Sequence, residues 1–497
     1  MRLLFVTSEA YPLAKTGGLA DVSRSLPAAL AHQGADVMVM MPAYPRAVVQ
    51  VRDPKVAARL APSFGIGDGV LIAGTFPDCD LPVLMVSSAS LFGRAGGLYQ
   101  DDDGTDWADN GLRFAYFSKI AADLALGLIK IGWQPDVVHA NDWHTGLLPY
   151  FLACHDGARP RTVFTTHNMA FQGNFAHGEV PDIGGGDFEF YGKISYLKAS
   201  LRYADRVTTV SPTYAREILT PEYGFGLEGV LAARGSDFSG ILNGIDETIW
   251  NPATDRFLPA NYRPRDTAGK RMCKRELQRE LELPPAPEVP VIGFVSRLTE
   301  QKMADTLAEA LPWIAESGAQ LAVVGEGDRA IEATLAEAAQ KHPTHIAATI
   351  GYDEALAHKL QAGSDILLAP ARFEPCGLTQ LYALKYGTLP VVRRTGGLAD
   401  TVIDTNNSSL CDRTASGFVF NDPTTDGMIS ALSRALALYR DQLHWRLVQL
   451  QAMTRSFGWD RSAGAYMDLY RGVTGMTPHW RETETGDDED NARRAAG

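Results

Sequence analysis

Four stretches combine cations with glycines or carboxylates in a pattern that could hold an anion and help it leave. Lys15 stands just ahead of a glycine pair in Lys15-Thr16-Gly17-Gly18-Leu19-Ala20-Asp21. The core of that word returns as Thr395-Gly396-Gly397-Leu398-Ala399-Asp400, again behind a cation, Arg394. Glycines let a backbone turn tightly and approach a ligand. The helical pattern after each pair offers unpaired N–H groups and a partial positive charge. Arg297 and Lys302 fall five apart in Ser296-Arg297-Leu298-Thr299-Glu300-Gln301-Lys302. A planar fork and a point charge so spaced suit two phosphate groups, and equally suit two solvated surface cations. In Arg372-Phe373-Glu374-Pro375-Cys376-Gly377-Leu378, Glu374 could accept hydroxyl groups while the N–H groups of Cys376, Gly377 and Leu378 donate to a phosphate or hydroxyl. Glu374 could also simply cap the helix that follows. Cys376 lacks the neighbouring base that a thiol nucleophile needs.

Two further polar runs follow apolar ones: His139-Ala140-Asn141-Asp142-Trp143-His144 and Thr166-His167-Asn168-Met169-Ala170-Phe171-Gln172-Gly173. Each histidine could touch a ligand or be satisfied by a backbone carbonyl. His139 and His144 lack the HExxH spacing of a metal pair. Asp78-Cys79-Asp80 and Asp101-Asp102-Asp103 contain DxD words, a weak metal signal that solvated acids near turns also produce. Gly325-Glu326-Gly327-Asp328-Arg329-Ala330 fits a GxGxxA word, but it follows the second strand of its half, whereas a dinucleotide fingerprint belongs after the first.

These runs sit where strands should end. Leu3 to Val6 is a short continuous apolar run of the kind buried on both faces of a parallel sheet. Leu19, Val22, Leu26 and Leu30 then follow at near-helical spacing, Gly34 ends the helix, and Val37 to Met41 makes the next strand. The alternation continues through Val83–Val86, Asp136–His139, Val163–Thr165 and Val207–Val210. From Asn251 to Pro290 prolines cluster around a basic helical piece, Lys270 to Leu281, as at a domain boundary. Alternation then restarts with Val291–Val295 and runs through Leu321–Val324, Ile366–Leu368 and Leu389–Val392. The helix Leu378 to Tyr386 should be stopped by Gly387, and Met428 to Leu447 reads as one long helix. The pattern predicts two doubly wound α/β halves, whose ligands bind beyond the carboxyl ends of the strands.

With 497 residues the chain exceeds one ordinary core. A net charge of −13 argues against nucleic acid held on a basic surface. The five cysteines (Cys79, Cys154, Cys273, Cys376, Cys411) are scattered, which argues against a disulfide framework or structural zinc. No signal peptide or bilayer-length apolar run is visible, so the expectation is a soluble protein of a reducing cytoplasm. The acidic run from Glu482 to Asp490 reads as part of a disordered tail.

Taken together, KTGGLADV at 15–22, HANDWHTGLLP at 139–149, THNMAFQG at 166–173, TVSPTYAREI at 209–218, NGIDETIWNPATD at 243–255, SRLTEQK at 296–302 and EPCGLTQLYALKYGTLPVVRRTGGLADTV at 374–402 resemble the bacterial glycogen synthases and plant starch synthases, in order and over most of the chain. The resemblance implies a GT-B fold, two Rossmann-like domains facing a deep cleft. It implies residues 1–255 as the acceptor-side domain, 256–458 as the nucleotide-sugar domain, and 459–478 as a helix returning to the first domain, with 479–497 left as a tail. It further implies retaining transfer of glucose from ADP-glucose to the 4-hydroxyl at the non-reducing end of an α-1,4-glucan, with neither metal nor cofactor and no nucleic-acid or membrane partner. Lys15, Arg297 and Lys302 would neutralise the departing pyrophosphate. Glu374 would hold glucose hydroxyls beside the backbone of Cys376, Gly377 and Leu378. Thr395 and Gly396 would approach the distal phosphate, Gly18 would lie beside the donor, and Tyr352 would stack on adenine. Asp21, Tyr99, Asp142, His167 and Asn168 would line the acceptor and sugar side, His167 in a catalytic role. One position departs from the family: Met303 replaces the glycine usual after SRLTxQK.

Overall fold

The computed structural model describes residues 1–476 except Gly185, so the tail 479–497 and the last residues of 459–478 lie outside the described residues. The first sheet is built on β1 (Arg2–Val6), β2 (Asp36–Pro42), β3 (Arg52–Arg59), β4 (Val70–Thr75), β5 (Pro82–Ser87), β6 (Val137–Asn141) and β7 (Arg161–Thr166). A small three-stranded sheet follows, β8 (Asn174–Phe175), β9 (Glu189–Phe190) and β10 (Lys193–Ser195), before β11 (Arg206–Thr209) and β12 (Phe238–Gly240) rejoin the large one. Its order is β12-β11-β7-β6-β1-β2-β5-β4-β3. All pairings are parallel except the β3–β4–β5 edge, which is antiparallel.

The second sheet holds β13 (Val291–Val295), β14 (Gln320–Gly325), β15 (Ile346–Ile350), β16 (Ile366–Leu368), β17 (Leu389–Arg393) and β18 (Phe418–Phe420), in the order β15-β14-β13-β16-β17-β18. It is entirely parallel. Numbered within itself this is 3-2-1-4-5-6, the doubly wound order whose switch point lies between the first and fourth strands. Leu3, Leu4, Phe5 and Val6 are fully buried, as are Ile292 and Phe294. Both central strands therefore carry continuous apolar runs.

The short strands β8 to β10, β12, β15 and β18 are not expected from the sequence, and two further differences have a clear physical cause. The β3–β4 hairpin is absent from the sequence reading because β3 is a polar solvent edge (Arg52, Asp53, Pro54, Lys55) with no apolar alternation. Proline, lysine and a register shift are how an edge avoids pairing with another chain. The expected helix Met428 to Leu447 is two helices, Thr425–Arg440 and Gln442–Thr454. Asp441 leaves helical geometry at φ −92°, ψ 82°, and its carboxylate accepts from His444 N–H, making a cap where the apolar pattern runs on.

The chain crosses between the sheets twice, side by side. Ile245 N–H donates to Phe457 O at 2.8 Å, and Phe457 N–H to Glu247 Oε1 at 3.2 Å. A Cβ on Gly244 would fall 2.9 Å from the Trp459 backbone, so the crossings approach as closely as glycine permits. Ile245 and Trp250 belong to the second core. The helix Asp460–Thr474 instead buries Ala463, Tyr466, Met467 and Tyr470 in the first.

Candidate functional site

The first Thr-Gly-Gly word ends the loop after β1 and opens the helix Gly18–His32. Lys15 Nζ lies 3.0 Å from Asp21 Oδ1. Thr16 Oγ1 donates to Glu9 at 3.0 Å, and Thr16 N–H donates to the same carboxylate. Burial pushes the Glu9 carboxyl up to about 7, against the lowering effect of those hydrogen bonds. Around Gly17 nothing would meet an added Cβ within 4 Å, and at Gly18 only the Leu378 side chain would, at 3.6 Å. The first loop thus opens on free space and faces the second domain's 374–378 turn.

The second word opens the short helix Gly396–Thr401 after β17. Gly396 N–H donates to Glu217 Oε1 and Oε2 at 3.0 and 3.1 Å, and Thr395 Oγ1 donates at 3.2 and 3.3 Å. Glu217 ends the helix Pro212–Glu217 of the first domain. The exchange is reciprocal: Asp400 accepts from Ser211 Oγ (2.7 Å), Thr213 N–H (2.9 Å) and Thr213 Oγ1 (2.6 Å) at the start of that helix. A Cβ on Gly396 (φ +42°) would sit 1.9 Å from Glu374 O, and one on Gly397 2.1 Å from Cys376 O. Arg394 donates to Asn421 Oδ1 on the surface.

The 296–302 and 372–378 loops follow β13 and β16. Lys302 Nζ is ion-paired with Glu374 Oε2. Gln301 Nε2 donates to Phe373 O at 3.3 Å and Arg372 N–H to Gln301 O at 2.9 Å, lacing the loops together. Arg297 is exposed, its Nη2 donating to Gln301 Oε1 at 3.4 Å. Met303 adopts φ 52° and is wholly buried in the second core. Left-handed geometry costs a branched-Cα residue about 1–2 kcal/mol, and burying the thioether side chain contributes about as much in the other direction. The turn beside Lys302 therefore forms without glycine. Burial raises the Cys376 thiol to about 12, so it is no nucleophile.

On the first domain, Asp142 follows β6 in strained geometry (φ 56°, ψ 175°) and accepts from His167 N–H at 2.7 Å. Burial, assisted by the Glu9 charge, pushes its carboxyl up to about 7. His167 Nε2 is 3.1 Å from Asn141 Oδ1, and burial drops the ring to about 3, leaving neutral imidazole. Burial above all, and then the Asp142, Glu217 and Glu374 charges, raise the Tyr214 phenol, so the two walls share one neighbourhood. Asn168 Oδ1 accepts from Ala170 N–H within its own turn. Tyr99 bonds Ser8 Oγ at 2.7 Å and stacks on His144, centroids 4.4 Å apart. His139, between Tyr470 Oη and Thr165 Oγ1 at 2.7 Å each, is a core residue.

Tyr352 follows β15, 57% exposed, its hydroxyl donating to Glu354. Gly325 and Gly327 of the GxGxxA word are glycines for packing: added Cβ atoms would lie 2.0 Å from Ser296 O and 2.4 Å from Leu298 O. Four residues with site contacts escaped the sequence reading: Glu9, Glu217, Asn243 and Glu354. Glu9 sits just beyond β1, where the strand-end rule looks for function. Asn243 Oδ1, buried without a partner among the described residues, lies by Cys376. Glu217 lies in the TVSPTYAREI motif, but its residue type alone assigns it no role.

A model of the starch synthase catalytic domain matches residues 2–233, and one of group 1 glycosyl transferases matches residues 289–437. A glycogen synthase of Paramagnetospirillum magneticum is 49% identical over 96% of this chain and 98% of its own. One of Burkholderia thailandensis is 49% identical over 99% and 93%. The catalytic domain of starch synthase IV from Arabidopsis thaliana, solved bound to ADP and acarbose, superposes with a TM-score of 0.85 at 32% identity, covering 95% of this chain and 99% of that one.

Proposed function

Because the chain belongs to the glycogen and starch synthase family, we propose that it is a glycogen synthase, transferring glucose from ADP-glucose to an α-1,4-glucan with retention and releasing ADP in the cytoplasm. The observation that supports this best is the Lys302–Glu374 pair, set by the turn that faces the open Lys15 loop. Each domain thus supplies a cation for a departing diphosphate.

In this reading Lys15, Arg297 and Lys302 stabilise the charge that grows on the leaving group, where preorganised donors lower a barrier most. When the diphosphate attracts Lys302, Glu374 is released to accept glucose hydroxyls. The bond from C1 to the phosphate oxygen breaks and one from the acceptor 4-oxygen forms on the same face. The acceptor proton leaves on the departing phosphate. Neutral His167, with Asp142 on its backbone, holds the sugar side together with Asn168, Tyr99 and Asp21. Gly18 and the backbone of Cys376, Gly377 and Leu378 border the donor, and Tyr352 is the base platform. Thr395 and Gly396 reach the distal phosphate once Glu217 gives way. The cations do the work a divalent metal would otherwise do.

Purified protein given ADP-glucose and glycogen in the presence of a chelator should release ADP and lengthen the glucan. Failure to release ADP under those conditions sinks the proposal, and parallel kinetics with UDP-glucose fix the donor.

A further inference from the structure

Glu354 begins the helix Glu354–Gly363, two residues beyond Tyr352. It occupies an unusual position for a carboxylate. With Asp21 from the first domain it lines one interdomain pocket, beside Tyr11, Trp250 and Tyr382. From the first domain, Lys15, Asp21, Tyr11, Arg24 and Asp246 are the charged or titratable groups around it, Arg24 being paired with Asp78 at 3.0 Å. Its Oε1 is 3.7 Å from His358 Nε2, a buried nitrogen with no hydrogen-bond partner among the described residues. The other ring nitrogen is anchored 2.7 Å from Asp255 Oδ2, and the ring stacks on Trp250 with centroids 3.7 Å apart. His358 beside it, then the Tyr352 hydroxyl and the Lys15 charge, hold the Glu354 carboxyl down at about 2 despite burial.

The carboxylate is therefore ionised and braced by His358, with its side chain about one-third exposed (35%). A second carboxylate near Lys15 opposes binding of a diphosphate, since like charge disfavours the anion. Such a group favours a donor only through an N–H or O–H that the donor itself presents, as a charge-assisted hydrogen bond. Its link to Tyr352 puts it at the level of the nucleoside, away from the Lys302–Glu374 pair.

We propose that Glu354 is a nucleoside-binding residue whose carboxylate accepts a hydrogen bond either from a ribose hydroxyl or from the exocyclic amine of the base, the second of which would also select ADP over UDP. This rests on the reading of Tyr352 as the base platform. A carboxylate set against an amine accepts, whereas against a ring carbonyl two acceptors are opposed. Sites built around such a hydrogen bond reject ligands that lack it.

The test measures binding of ADP, UDP, 2′-deoxy-ADP and 3′-deoxy-ADP by calorimetry to the full chain and to Glu354→Gln and Glu354→Ala, each checked for an unchanged unfolding midpoint. If the base amine is the donor, the ADP:UDP affinity ratio falls at least tenfold in Glu354→Ala and the deoxy ratios hold. If a ribose hydroxyl is the donor, one deoxy analogue loses its tenfold disadvantage and ADP:UDP holds. Equal change for all four nucleotides, or no change, overturns the proposal. Glucose transfer by the unaltered protein is measured separately: its absence would sink the synthase reading, and the binding ratios would still decide Glu354.

Discussion

The two Thr-Gly-Gly-Leu-Ala-Asp words share six residues and a fold position, a strand end opening a helix, yet the structure uses them oppositely. In the first, the glycines face open space and Lys15 looks across to the other domain. In the second, both glycines are pressed against the backbone of Glu374 and Cys376, and the helix-opening donors hold Glu217. The matching acids diverge as well. Asp21 pairs with a cation of its own loop, whereas Asp400 caps a helix of the other domain. A glycine pair therefore has two physical uses, leaving room for a ligand and letting two stretches of backbone touch. What lies within 4 Å tells them apart.

The largest contrast is between the cations that precede the words. Lys15→Ala should lower kcat/KM for ADP-glucose by about 10²–10³, the loss typical of one transition-state donor, with glycogen affinity nearly unchanged. Arg394→Ala, whose exposed guanidinium hydrogen-bonds only Asn421 among the described residues, should stay within about twofold, as surface substitutions do. Comparable losses in both variants would erase the distinction.

Glycine-to-alanine exchanges probe the same contrast through stability. Gly397→Ala drives a methyl group into Cys376 O and should cost about 1–3 kcal/mol or more, seen as a lower unfolding midpoint. Gly17→Ala meets nothing and has an extended backbone (φ −158°), so the midpoint should hold while donor KM rises. A stable Gly397→Ala would mean that the second word is not a packing element.

Much of this was legible in the chain and some was not, for physical reasons. Leu3–Val6 and Val291–Val295 announce buried parallel strands by continuous apolarity, and Gly387 stops its helix at φ +67° as expected. The β3 edge was invisible because an edge strand hides its pairing behind charge. The break at Asp441 was hidden because a side-chain cap overrides apolar periodicity. The individual site words could be read. Their partners could not: Lys302 and Glu374 lie 72 residues apart, and Thr395 and Glu217 lie 178 apart. No local rule spans such distances.

Each word also carries a carboxylate on its threonine, and acidity separates them. Burial raises the folded Glu9 carboxyl to about 7, against its ordinary 4.5 when unfolded. The folded state thus binds the extra proton between those values. Glu9 contributes stability that is fully present below about pH 4.5 and is lost as pH rises through about 7, by roughly 3 kcal/mol at most. Glu9→Gln should flatten the fall in unfolding midpoint between pH 5 and 8. An unchanged slope would show that Glu9 is not the group responsible.

The smallest effect is expected at Glu217, and it bears on whether the second word is closed to ligands. Its carboxyl is raised mainly by burial, opposed by the Gly396 and Thr395 hydrogen bonds. Because it is partly solvated, its charge adds only a fraction of a kcal/mol to the contact, by the measure of exposed pairs. Glu217→Gln keeps one acceptor for Gly396 N–H but removes the anion, so the unfolding midpoint should fall by no more than a degree or two. ADP should then bind about threefold more tightly, since a phosphate displaces a neutral amide more easily than a carboxylate from the same N–H groups. Unchanged ADP affinity in Glu217→Gln would instead fix Thr395 and Gly396 as purely structural, and leave the first word alone in touching the donor.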